Sequence, residues 1–382
     1  MTVAEATGKK SGPRLLYIDN LRILLICLVI VSHCSITYGG LGSWYFTDPG
    51  NGAATPFIFS VINPLNQSFF MGFFTLVSAY FVVGSLLRKG RDRFTRDRLV
   101  RLGIPLLVWI LFINPIILLI LTLGGAPLPM PLATTLNPIT GPGLGLMWFV
   151  FFLLVATFAY LIWTGIFRPD PTGDKKPHPF PGFASVFTLG ILLGIVTTIV
   201  RIFMPIGYVW LFNLQLPFFP QYIALFIIGI YAAHNNWFDD IPSRVGKMCT
   251  LAALLLVAFQ IVFMYVITNS PAGLEPVVGG LHWQAVLYAF WEQMAGVMII
   301  TALLWIFSLW LNRQGPVTSA MGGDSYTVYI IHPVVLVSLS LVFAGLAIPS
   351  LAKFAVVLPL TICLSFALAH VIRAVPGVTK VL

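Results

Sequence analysis

An all-α, polytopic integral membrane protein with about ten transmembrane helices and both termini in the cytoplasm is the expectation for this chain, and three observations carry it. Of its 382 residues 58% are hydrophobic and only 9% charged, with a mean hydropathy of +0.95. A soluble domain needs a surface with far more charge, roughly 25% of its residues. Apolar runs recur along the chain at lengths near the roughly 20 residues that span a hydrocarbon core about 30 Å thick. Lysine and arginine are not scattered but alternate from one connection to the next.

Taken in order, the apolar runs are centred near Ile26, Phe74, Ile113, Leu154, Leu192, Ala224, Leu256, Met298, Val335 and Leu360. Span 1 is preceded by Lys9, Lys10 and Arg14, and it lacks the small-residue exit of a cleavable signal, so it is expected to stay as a helix. The connection between spans 2 and 3 is filled by Arg88, Lys89, Arg91, Arg93, Arg96, Arg98 and Arg101. Later cations are Arg168, Lys175 and Lys176, then Arg244 and Lys247, then Arg313, and last Arg373 and Lys380. Connections 39–64, 123–143, 205–216 and 269–283 contain neither lysine nor arginine. The positive-inside rule puts every even-numbered loop in the cytoplasm, with Lys353 as one exposed exception at the start of span 10. A net charge of +9 is thereby accounted for by membrane topology, and no nucleic-acid partner is implied. The chain divides into a basic cytoplasmic segment 1–14, a single bundle 15–373 and a cytoplasmic tail 374–382. Phe167 to Phe183 is a proline-rich linker, and no internal repeat is evident. Four cysteines, Cys27, Cys34, Cys249 and Cys363, lie in or beside apolar runs without metal-binding spacing, so neither a disulfide nor a metal site is expected.

Ionisable groups inside a span are costly, which singles out a few residues. In span 1, Arg22 and His33 are eleven positions apart, a separation that returns to within roughly 20° of the same helix face while rising about 16 Å. Arg22 stands near the cytoplasm, either as an interfacial cation paired with Asp19 one turn earlier or as part of a site. His33 reaches mid-membrane, where it is either a packing histidine bonded to a neighbouring helix or a general base, since an imidazole titrates near about pH 6.5. Glu292, about 12 Å into span 8 from the outer side, lies at a similar depth. It is a candidate to orient the His33 ring, the alternative being a paired structural carboxylate. His332 in span 9 follows Tyr329 by about one turn, with Asp324 as an expected helix cap below; packing before Pro333 is its other reading. Arg201, at the outer end of span 5, is expected to snorkel to the interface. Arg98 and Arg101, three apart at the start of span 3, present two guanidiniums suited to gripping phosphates at the cytoplasmic mouth. Trp44, Tyr45, Trp210 and Trp283 fit either sugar stacking or an interfacial aromatic belt.

The order of motifs resembles acyltransferase family 3. They are Asp19-x-x-Arg22-x10-His33, Ser68-Phe69-Phe70, Val77-Ser78-Ala79-Tyr80-Phe81, Phe94 to Pro105 with Arg98-x-x-Arg101, Met147-Trp148-Phe149-Val150, and Tyr326 through Tyr329 to His332. The opening Ile18-Asp19-Asn20-Leu21-Arg22 is similar to the branch of glucan-biosynthesis or succinyltransferase-like membrane proteins. Ala79 stands where that family usually has glycine, and Leu146-Met147 replaces a common His-Leu. The resemblance implies a multi-pass protein of the cytoplasmic (inner) membrane that moves an acyl group, acetyl or succinyl, from cytoplasmic acyl-CoA to a hydroxyl of a glycan at the outer face or on a lipid carrier. On this reading acetyl-CoA is the expected co-substrate and no metal takes part. Arg98, Arg101 and Arg22 hold the donor, and Arg22, His33 and Glu292 are catalytic. His33 serves as general base or transient acyl carrier, with Asp19, Trp148, Tyr329 and His332 as further candidates. The alternative is a proton-coupled transporter or exporter in which Arg22, Glu292 and His332 line a path.

Overall fold

The computed structural model describes residues 15–50, 55–128, 137, 139, 142–167, 177–208 and 211–382. Segment 1–14, the cations Arg168, Lys175 and Lys176, and Trp210 lie outside the described residues. Among those described, ten helices are long and apolar enough to cross a membrane. They are α1 (Leu16–Thr37), α2 (Thr55–Lys89), α3 (Arg91–Leu123), α4 (Gly143–Phe167), α5 (Phe183–Phe203), α6 (Leu216–His234), α7 (Ser243–Thr268), α8 (Trp283–Trp310), α9 (Pro316–Ala344) and α10 (Ser350–Ala374). Each of the ten expected span centres falls inside one of them.

Where each helix sits follows from its polar content. α8, α2, α9 and α1 bring Glu292, Gln293, Asn63, Asn66, His332 and Ser35 into hydrocarbon, and these helices form the inner layer. The apolar window of α8 is 67% buried, against 28% for α5, α7 and α10, which turn Leu192, Ile199, Leu254, Leu255 and Leu364 outward. Hydrocarbon solvates those side chains as well as a protein core does, so close backbone packing and interhelical hydrogen bonds hold the bundle together. Gly229 of α6 faces the Leu76 carbonyl of α2, and Gly296 of α8 faces the Ser68 carbonyl; a methyl group at either position would collide with backbone. Gln221 of α6 donates to the same Ser68 carbonyl at 2.7 Å, and Gln260 of α7 donates to Val61 at 3.0 Å.

The cationic connection between spans 2 and 3 is helical rather than a loop. α2 runs to Lys89 and α3 starts at Arg91, so a single residue, Gly90, makes the reversal at φ 73°, ψ 168°. This backbone region is essentially restricted to glycine. α3 then contains two π-helical stretches, Leu99–Gly103 and Trp109–Ile113, a geometry rare elsewhere and frequent near functional sites.

Two other expectations are corrected. Lys353 is not exposed; it is buried and its ammonium meets Asp48 at 2.6 Å, tying the connection after α1 to the start of α10. Ser350 donates to the Pro49 carbonyl at 2.5 Å and secures the same strap. Asp324 does not cap a helix, because Pro316 starts α9 two turns earlier with Gly315 as its cap. Asp324 binds Arg373 at 2.6 Å and His370 at 3.1 Å, joining α9 to α10. Replacing Gly90 with alanine should lower stability by about 1 kcal/mol or more, because a Cβ forces the turn out of its only comfortable region. Thermal unfolding of the detergent-solubilised variant checks this.

Candidate functional site

Two cavities lie along α1, one at each end of the Arg22–His33 stretch. The first, about 320 Å³, is lined by His33, Ser32, Gln67, Trp148, Gln215 and Tyr288, among others, and none of its lining residues is charged. The second, about 610 Å³, is lined by Asp19, Arg22, Arg88, Lys89, Arg98, Arg101 and Arg373, with Tyr326 and Ser78 between them. Because side chains on one helix face stack along its axis, α1 feeds the cationic cavity with Arg22 and the neutral one with His33.

At the neutral end His33 is held from two directions. Its Nδ1 is 2.9 Å from Nε2 of His332, which is fully buried on α9 and whose own Nδ1 lies 3.1 Å from the Val328 carbonyl. Trp44, carried by the strap after α1, stacks on the His33 ring with centroids 4.0 Å apart and planes 15° apart. The strap continues to Tyr45, whose hydroxyl donates to Asn114 on α3 at 3.0 Å. One face of Trp44 is therefore given to His33. The sequence places Trp44 only among aromatics for sugar or interface, and no local signal could reveal its true partner.

Behind this ring α2 presents a polar face that sequence reasoning passed over. Asn66 donates to Ser32 at 3.1 Å, Asn63 bonds the Ser35 hydroxyl and donates to the Leu41 carbonyl at 3.0 Å, and Gln67 donates to Tyr222 at 2.9 Å. The signal was available: Asn63, Asn66 and Gln67 stand at i, i+3 and i+4 within an apolar run, which puts three amides on one helix face. Trp148 forms a wall of the same cavity and stacks on Tyr222 at 5.7 Å.

At the cationic end the charges divide into two groups. Arg22 pairs with Asp19 at 3.1 Å and lies 4.9 Å from the Phe81 ring; Lys89 pairs with Asp97 at 2.5 Å, and Arg373 pairs with Asp324. Arg88, Arg98 and Arg101 make no direct ion pair among the described residues, although the Asp97 carboxylate acts on Arg98 and Arg101 from farther away, and Arg98 rests on the Phe94 ring at 4.9 Å. Guanidiniums in one cavity that make no direct ion pair are suited to accept a polyanion.

Between the cavities stands Tyr329, which lines both and donates its hydroxyl to the Leu146 carbonyl at the entry to α4. Four of the expected site residues, Asp19, Arg22, Arg98 and Arg101, thus share the cationic cavity, while His33 and Trp148 share the neutral one. His332 supports His33 from behind, and Tyr329 belongs to both cavities.

Glu292 does not fill the expected place beside His33. It is engaged by Arg201 of α5 at 2.5 Å and by Gln293 at 3.0 Å, with both members of the ion pair 1% exposed. Arg201 does not snorkel; it is buried over Phe218 and Tyr288. A guanidinium at this depth finds a carboxylate on the adjacent helix instead of water, because α5 packs against α8 along its length. Among the described residues, no three histidine, cysteine or acidic side chains converge as metal ligands.

The described residues form a polytopic α-helical bundle with a cationic and a neutral cavity along one helix. The profile of the acyltransferase domain of acyltransferase family 3 matches residues 15–370, and the chain belongs to that family. It is similar to proteins named glucans biosynthesis protein C. Those of Salmonella gallinarum (strain 287/91 / NCTC 13346) and Salmonella schwarzengrund (strain CVM19633) are 24% identical over 333 residues, covering 84% of this chain and 82% of theirs. The relative from Salmonella heidelberg (strain SL476) is 23% identical over the same length. No solved structure matches significantly.

The Arg201–Glu292 pair can be tested apart from chemistry. Arg201→Met alone leaves a buried carboxylate without its partner and should cost about 3–5 kcal/mol. Arg201→Met combined with Glu292→Leu should recover most of the loss, read as the thermal midpoint of the solubilised protein.

Proposed function

We propose that this chain moves an acyl group, acetyl or succinyl, from acyl-CoA held in the cationic cavity to a hydroxyl of a glucan or related glycan in the neutral cavity. The single observation that carries this reading is the arrangement of the two cavities on one helix, with Arg98 and Arg101 lining one without a direct ion pair and the His33 imidazole lining the other. The enzyme works in the cytoplasmic membrane with its cationic cavity facing the cytoplasm, as the alternation of lysine and arginine supports. The name shared by its relatives supports a glucan as acceptor.

In this account Arg98 and Arg101 grip the phosphates of the donor, and Arg22 extends the cationic wall towards α1. The thioester arm runs along α1 past Tyr329, covering the rise of about 16 Å between Arg22 and His33. The acceptor hydroxyl gives its proton to the free ring nitrogen of His33 while its oxygen bonds to the thioester carbonyl carbon. Collapse of the tetrahedral intermediate breaks the carbon–sulfur bond, and the departing thiolate takes the proton back from His33. Trp148 and Gln67 border the acceptor. Glu292 is a structural tie to Arg201, outside the chemistry.

Acetyl-CoA or succinyl-CoA at about 100 times its dissociation constant should stabilise the solubilised protein by about 2.7 kcal/mol. Arg98→Ala with Arg101→Ala should abolish that shift. His33→Ala should keep it while slowing transfer of labelled acyl groups to glucan by about 100-fold to 10,000-fold. A well-folded protein that no acyl-CoA stabilises, and that carries a solute in response to a proton gradient, would mean a transporter instead.

A further inference from the structure

We infer that His332 is the positioning residue of this site, fixing His33 in the tautomer whose bare nitrogen is Nε2. The inference rests on the role proposed for His33 and names a second residue that this role requires. Nδ1 of His332 lies 3.1 Å from the Val328 oxygen, which can only accept, so the proton of a neutral His332 sits on Nδ1. Its Nε2 is then a bare acceptor. That atom is 2.9 Å from Nδ1 of His33, so His33 must supply the proton of this bond. A neutral His33 has only one ring proton, and its Nε2 is therefore left with a lone pair.

The ring geometry agrees with such a bond. The two imidazole planes are 7° apart and their centroids 5.2 Å apart, which is the N···N distance plus the two ring radii. The rings thus lie edge to edge in nearly one plane, with the hydrogen bond along the line of their centres. Trp44 stacks on the face of His33 at 4.0 Å and fixes that plane, so tautomer and orientation have separate causes. His332 itself is buried, and its hydrogen bonds go to Val328 and His33.

Function depends on this sense of the chain of bonds. When His33 takes the acceptor proton on Nε2 it becomes an imidazolium, and its Nδ1–H bond to the His332 lone pair becomes charge-assisted and stronger. With the opposite tautomer the nitrogen facing the acceptor already carries a proton and cannot act as a base. His332 so occupies the orienting position in which the sequence suggested Glu292, with a neutral acceptor in place of a carboxylate.

Ring-¹⁵N-histidine NMR of the full chain in detergent reads the assignment directly, with His33→Ala identifying the His33 signals. The expected wild-type spectrum shows His33 protonated at Nδ1 and bare at Nε2, and His332 likewise. His332→Leu should mix the His33 tautomers and lower kcat by about 100-fold or more while leaving KM for acyl-CoA unchanged. His332→Gln, whose side-chain carbonyl can accept the Nδ1 proton, should restore at least part of both the tautomer and kcat. A wild-type His33 protonated at Nε2 overturns the inference even if the leucine variant fails to fold. So does a folded leucine variant with unchanged spectrum and kcat, or a glutamine variant no better than leucine. The expected spectrum in a protein that acylates no acceptor would uphold the tautomer assignment and refute the proposed reaction.

Discussion

Hydrocarbon cannot solvate a polar side chain, so each one that this bundle carries into the membrane has to be answered from within the bundle. That constraint decides which helices are central. α1, α2, α8 and α9 bring in histidines, amides and a carboxylate, and α5 and α6 supply partners for some of them. Asn66 finds Ser32, Gln67 finds Tyr222, Glu292 finds Arg201, and His33 finds His332. Helices α5, α7 and α10 carry fewer such groups and form the lipid-facing rim. The same constraint fastens the strap after α1, through Asp48 on Lys353 and Ser350 on Pro49, and the strap in turn sets Trp44 on the His33 ring.

On the proposed function, the positions that act on substrates are distinct from these ties between helices. Lys89 and Arg373 have carboxylates within ion-pair distance, whereas Arg98 and Arg101 have none that close among the described residues. The helix that carries Arg98 starts one residue after α2 ends, at Gly90, so both guanidiniums are built on rigid backbone instead of a mobile loop. At the other end of α1, one ring nitrogen of His33 is occupied and the ring itself lines the neutral cavity. Tyr329 divides the two regions and is itself anchored to Leu146. On the proposed function, a polyanionic donor and a neutral polyol acceptor ask for opposite environments, and the two cavities differ in that sense. Family membership makes the chain an acyltransferase in outline, and on the proposed function this separation connects that activity to particular residues.

Much of the fold was legible in the sequence because hydropathy and charge are local properties. The ten spans, their cationic and cation-free connections, and the common face of Arg22 and His33 follow from short stretches of chain. The pair Arg98 and Arg101 was legible from its spacing alone. Partnerships between distant segments were not. His33 and His332 are 299 positions apart, and Arg201 and Glu292 are 91 apart. Snorkelling was the wrong inference for Arg201 because it assumes a helix end facing lipid headgroups, whereas α5 turns this residue toward α8. Lys353 and Asp324 failed for the same reason, each being taken with its neighbours in sequence when its real partner lies on another segment. Gly90 gave no sign of being the entire turn, since a cationic run reads as a loop until the helices on both sides are known to continue into it.

Transfer across the bilayer is the central claim, and reconstitution in sealed proteoliposomes of determined orientation tests it most directly. Labelled acetyl-CoA or succinyl-CoA would be supplied on the side of the cationic cavity and soluble glucan enclosed on the other, with both substrates placed together on each side as controls. The proposed function predicts labelled glucan only when the donor is at the cationic face and the acceptor at the opposite face. Label appearing when both substrates share one side, and absent when the bilayer separates them, would contradict the account.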